Sequence, residues 1–158
     1  MLTIKTTCDN IIVSITYGGM KIMIKTTFKN FELRAIHAGE KNAGWNDGQD
    51  RTHCHHVIRV KDMETKKFFS FDYWTSLANP EIADKKEVLQ AFECFLNDCL
   101  VATDTLENFT SGFGYEGKEA RRIYAVCSRS LKKIERLYED SIVDLANELS
   151  EYISDLSA

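Results

Sequence analysis

The chain is short of several things at once. Its 158 residues hold a single proline, Pro80, and five cysteines, Cys8, Cys54, Cys94, Cys99 and Cys127, an odd number without Cys-x-x-Cys spacing. That set points to neither a disulfide framework nor a zinc ribbon, and free thiols in a reducing compartment are the simplest account. No apolar run approaches the ~18 residues of a membrane-crossing helix, so no membrane partner is expected. The opening MLTIKTTCDNIIVSITYGG lacks the apolar stretch and small-residue cleavage site of a secretory signal. The expected location is the cytoplasm. A positive surplus is also missing: the formal net charge is −4, which argues against direct nucleic-acid binding.

Catalytic signatures are equally scarce. Gly112, Gly114 and Gly117 follow no strand and precede no lysine-serine pair, so they make no phosphate loop. Cys54 neighbours two histidines, yet sequence neighbours on a strand point to opposite faces, so no Cys–His pair forms there. The expectation is a protein that binds rather than catalyses, with no cofactor. Its hydrophobic content of 44% suits one globular domain over residues 1–158.

What is present changes character in the middle. Up to Trp74 apolar side chains alternate or run together, and after Asp84 they recur every three or four residues. Pro80 sits in the connection, where a missing N–H does least harm. Residues 1–79 read as sheet and 80–158 as helices. Ile11 to Tyr17 is a β-branched run ending at Gly18-Gly19; Met20 to Phe28 and Phe31 to Ile36 alternate. His37 to Arg51, with three glycines, reads as a wide loop, and Thr52 to Val60 and Lys66 to Trp74 complete an antiparallel meander of about four strands. Residues 1–19 form an added N-terminal strand or arm. The predicted fold is α+β, the meander packed by a layer of three to four helices.

The first helix starts at Asp84 with Glu87 three residues on, the form of a capping box. A short helix spans Thr105 to Phe113, ended by Gly112 or Gly114. From Lys118 onward there is no glycine or proline, which permits one long helix or two; the doubled step of four between Tyr138 and Ile142 favours two, broken near Asp140-Ser141.

Charge is segregated. Residues 118–136 carry seven cations against Glu119 and Glu135; from 139 onward Glu139, Asp140, Asp144, Glu148, Glu151 and Asp155 stand with no cation. Either the two segments satisfy each other as a hairpin, or the acidic helix is offered to a basic partner. Trp45, in the wide loop, either folds back onto the sheet or anchors a partner. His53 and His55 share one face of their strand roughly 7 Å apart. An HxH pair is half of a transition-metal site, and without a third ligand at motif distance the histidines read first as members of a half-wet strand.

The string Phe71-Asp72-Tyr73-Trp74-x-Ser76, followed by Ala91-Phe92, Asn97-Asp98, Phe109, Phe113-Gly114-Tyr115 and Ile123-Tyr124-x-x-Cys127, resembles a broad group of small uncharacterised phage and prophage proteins. The resemblance covers roughly Thr52 to Tyr138 and carries no functional residue across. It implies a context, that of phage accessory proteins that inhibit bacterial defence, anti-CRISPR proteins among them. The partner it implies is a host defence effector such as a CRISPR nuclease, met in the cytoplasm of an infected bacterium. Apart from the resemblance, a homodimer through the C-terminal helix is a further expected arrangement. Two other functions stay open: a metal-dependent enzyme or sensor on His53 and His55, and a dimeric DNA-binding regulator using residues 118–136.

Overall fold

The computed structural model describes residues 4–8, 11–16, 19–42, 52–114, 116–138 and 140–157, with side chains from Met23 onward except at 42 and 113. Trp45, Tyr115 and Glu139, and the expected turn at Gly18, lie outside the described residues. The class is α+β: an antiparallel sheet comes first and four helices follow. The chain divides into two compact units, Met1–Leu89 and Gln90–Ala158.

The first unit is a meander in strict chain order, β1 (Ile4–Cys8), β2 (Ile11–Thr16), β3 (Gly19–Phe28), β4 (Phe31–Asn42), β5 (Thr52–Asp62) and β6 (Phe68–Thr75). Register explains why alternation was so legible. Ile24, Ala35, Ile58 and Phe71 form one cross-strand row, and Thr26, Leu33, Val60 and Phe69 form the next. All eight are buried, with Leu33, Ile58 and Val60 wholly so. The intervening rows put Lys25, Arg34, Arg59 and Ser70 on the other face. One face is apolar and the other wet, as a period of two requires.

Strand β4 departs from expectation. The segment from His37 to Asn42, read as the start of a loop, continues the strand and pairs with Thr52 to His56. A bulge between His37 and Gly39 makes this workable, because Gly39 sits at φ +100°, a conformation glycine adopts without a Cβ clash. The tight turn at Met63-Glu64-Thr65 is held by Asp62, whose carboxylate accepts from Glu64 N at 2.8 Å and Thr65 N at 3.2 Å.

Helix α1 (Lys85–Val101) begins in the first unit and ends in the second. Asp84 caps it, accepting from Glu87 N at 2.9 Å, while one Glu87 carboxylate oxygen is buried without a partner among the described residues, so only half of the expected capping box forms. Helix α2 (Leu106–Phe113) is capped by Thr105, which accepts from Asn108 N at 3.1 Å, and ends at Gly114 in the left-handed region at φ 72°. Helix α3 (Gly117–Glu135) and helix α4 (Ile142–Ser157) are separate, with Ser141 capping the second at 3.3 Å. Within the second unit Tyr124 of α3 donates its hydroxyl to the Asp104 carbonyl and its ring lies 6.0 Å from Phe109 of α2. Ala120, Cys127 and Ile134 are the buried stripe of α3; Leu145, Ala146, Leu149 and Ile153 are that of α4. Among the described residues no helix is long and apolar enough to cross a membrane.

Candidate functional site

Four positions of β5 put chemistry on the sheet. Cys54 and His56 share the buried face with Ile58 and Val60, and His53 and His55 lie on the opposite one, as strand geometry dictates. His55 is nevertheless nearly covered, because its ring stacks on Trp74 at 4.5 Å and its Nε2 donates to Asp72 at 2.8 Å. The pairing follows from register, His55 standing opposite Trp74. His53 is half-buried. Among the described residues no group of three or more His, Cys, Asp or Glu side chains is arranged to hold a metal.

His56 is the more constrained ring. Its Nε2 lies 2.9 Å from the Pro80 carbonyl and 3.0 Å from Thr75 Oγ1, and the Thr75 hydroxyl donates to the same carbonyl at 2.6 Å. A carbonyl oxygen only accepts, so a ring nitrogen bonded to it must be the protonated one, and the neutral ring carries its proton on Nε2. Burial pushes the His56 pKa down; the Pro80 carbonyl opposes that shift, and the nearby His37 and His55 add to it. The result is a neutral donor that ties β5 to the connection after β6. Next to it, His37 stands directly opposite on β4 with ring centroids 5.1 Å apart. The two imidazoles line a pocket of about 240 Å³ with Ile24, Ala35, Pro80, Glu81 and Ile82. Sequence reasoning missed this pair because it placed His37 in a loop; the signal was Gly39, a bulge glycine that lets β4 run on.

On the wet face Glu32 is buried yet charged. It accepts from Arg34 Nε at 2.6 Å and lies 3.4 Å from Lys25 Nζ. Burial alone would push its pKa up, but the hydrogen bond and charge of Arg34, joined by Lys25, hold it below the ordinary carboxylate value.

The second unit carries the charge. On α4, Asp144, Glu148, Glu151 and Asp155 are all exposed and fall within an arc of roughly 60°. They stand opposite the buried stripe, and Asp140 precedes them, also exposed. Apolar side chains flank the acids: Val143 is 51% exposed, Leu156 49% and Tyr152 39%. On α3, Lys118, Arg121, Arg122, Arg129, Lys132 and Lys133 lie within roughly 120°, again opposite the buried face. Among the described residues none of Lys118, Arg121, Arg122, Arg129 and Lys132 is in an ion pair. Both charged stripes thus turn away from the apolar sides of their own helices.

Comparison of the chain with protein-family models, with curated proteins and with solved structures returned no match.

Proposed function

We propose that this chain is a binding module that offers the acidic face of α4 to a cationic surface of a partner protein. The observation that carries this is the α4 stripe, four exposed carboxylates over about 17 Å of helix with exposed apolar side chains at its edges. Glu151 and Asp155 fall in the C-terminal half of the helix, where the macrodipole disfavours anions, and no lysine or arginine occurs from Leu137 to the end. A merely solvated helix would mix signs at i, i+4. An acidic surface rimmed by valine, tyrosine and leucine has the make-up of an interface, apolar anchors giving affinity and charge giving orientation.

Proteins that handle nucleic acids present cationic grooves. One carboxylate per about 5 Å along α4 approaches the charge density of a single nucleic-acid strand, one per ~3.4 Å. Together with the resemblance to phage accessory proteins, this supports a bacterial defence effector as the partner, blocked at its nucleic-acid-binding groove. Trp45 belongs to the same proposal as a second anchor.

The test is plasmid interference in bacteria carrying a panel of CRISPR effectors, with the chain expressed or absent. Rescue of the targeted plasmid by the wild-type chain, lost on reversing Asp144, Glu148, Glu151 and Asp155 to lysine, is the expected result. Rescue that survives the reversal would remove α4 from the interface, and absence of rescue across the panel would move the partner outside that class.

A further inference from the structure

The wet face of the sheet holds a small cavity of about 60 Å³, lined by Glu32 and Arg34 of β4 and Arg59 and Lys61 of β5. Register sets Arg34 opposite Arg59 and Glu32 opposite Lys61. Two like charges directly opposite on neighbouring strands oppose folding unless something else compensates. The single carboxylate lining the cavity is already engaged by Arg34 and Lys25, so the lining keeps a cationic surplus.

Arg59 is the informative member. Its guanidinium is seated over the Phe68 ring, 4.0 Å from the centroid, and its Nε is buried with no hydrogen-bond partner among the described residues. Buried donors without partners are uncommon, because each forgoes the water it had in the unfolded chain. Lys61 is in no ion pair among the described residues. The lining thus sets a guanidinium whose Nε has no acceptor among the described residues beside two further cations, around a space several times the ~15 Å³ that one water needs.

We propose that this cavity is an oxyanion niche that takes a phosphoryl group, with Arg59 and Lys61 as its donors and Arg34 adding charge. Arginine suits the task because its planar fork donates to two phosphate oxygens at once. Phe68, opposite Lys61 on β6 and 58% exposed, lays an apolar ring beside the niche, where the base of a nucleotide stacks. The phosphoryl group belongs to a free anion, a nucleotide or a single strand. The niche lies in the unit formed by residues 1–89, so it stands or falls apart from the α4 proposal.

The experiment is a titration of the ¹⁵N-labelled full chain, following the Arg59 side-chain Nε–H resonance and the β4 and β5 amides, with inorganic phosphate, a mononucleotide and a short single-stranded oligonucleotide. A saturable shift at Arg59 is expected, weakened about tenfold in Arg59→Lys and severalfold in Lys61→Gln, a change at a half-buried position near the end of β5 that keeps the fold if the first variant does not. Equal affinity for all three ligands identifies the free anion as the source. Tighter mononucleotide binding that Phe68→Ala abolishes identifies a nucleotide, and tighter oligonucleotide binding that weakens with salt identifies a strand. No saturable shift with any ligand, or shifts unchanged in both variants, would overturn the proposal.

Discussion

At His56 burial and hydrogen bonding act on one proton, and the consequence is a pH profile. Its folded pKa lies below the ordinary 6.5, so between the two values the unfolded chain holds more protons and stability rises with pH. The contribution is complete above about pH 7 and is lost as pH falls through 6.5 toward the folded value. Urea midpoints should therefore drop on acidification from neutral pH, and His56→Gln, which keeps an N–H for the Pro80 carbonyl, should flatten that drop; a profile unmoved by the substitution would assign the pH dependence to other groups. The thiols give a second residue-scale expectation. Burial, aided by Asp98, pushes Cys99 up to about 12 and raises Cys127, both buried, whereas Cys94 is exposed but raised by partial burial and the neighbouring Asp98 and Glu93. In a Cys8→Ser background, Cys94 should react alone and slowly with a disulfide reagent near pH 8, and Cys54, Cys99 and Cys127 only in denaturant. Rapid modification of Cys127 in the folded chain would contradict its burial. At this scale the residue types were readable in advance, but the environments were not: nothing local in His-Cys-His-His tells that Trp74 and Asp72 hold one ring while Thr75 and Pro80 hold another.

At the scale of the element, caps and stripes carry the stability of the second unit. Leu149 is wholly buried on α4, and Leu149→Ala should cost about 2–5 kcal/mol through lost burial and the cavity left behind. Gly114→Ala meets no atom within 4 Å, so its cost comes from the left-handed backbone alone, about 1 kcal/mol. Chemical denaturation of the two variants measures both, and equal costs would mean that the α2 terminus is more than a turn. These elements were the legible part of the chain. The strand alternation, the break at Asp140-Ser141, the cap at Asp84 and the short helix ending near Gly114 follow from local sterics and hydrogen bonding, which a short window contains. The extension of β4 past His37 was not legible, because cross-strand hydrogen bonds to β5 override the weakly strand-forming run Ala38-Gly39-Glu40-Lys41-Asn42.

Across the whole molecule, net charge misdescribes the surface. A total of −4 hides a cationic face on α3, an anionic face on α4 and a cationic patch around Arg59, each met by any approaching partner at close range. Under the α4 proposal, partner association should slow steeply as ionic strength rises past the point where the ~8 Å screening length of physiological salt sets in, while dissociation changes little. Surface-binding kinetics across a salt series measure this; a salt-independent association rate would place the apolar rim, Val143 and Leu156, ahead of the carboxylates. The sequence by itself determined the class of fold, the order of its elements and the segregation of charge, since each is a matter of period, composition or position along the chain. Tertiary structure alone decided which charged residues face one another and which donors are left without an acceptor. Arg34 meets Arg59, and His37 meets His56, only through strand register, a property of hydrogen bonds between segments far apart in the chain, which no single stretch of residues encodes.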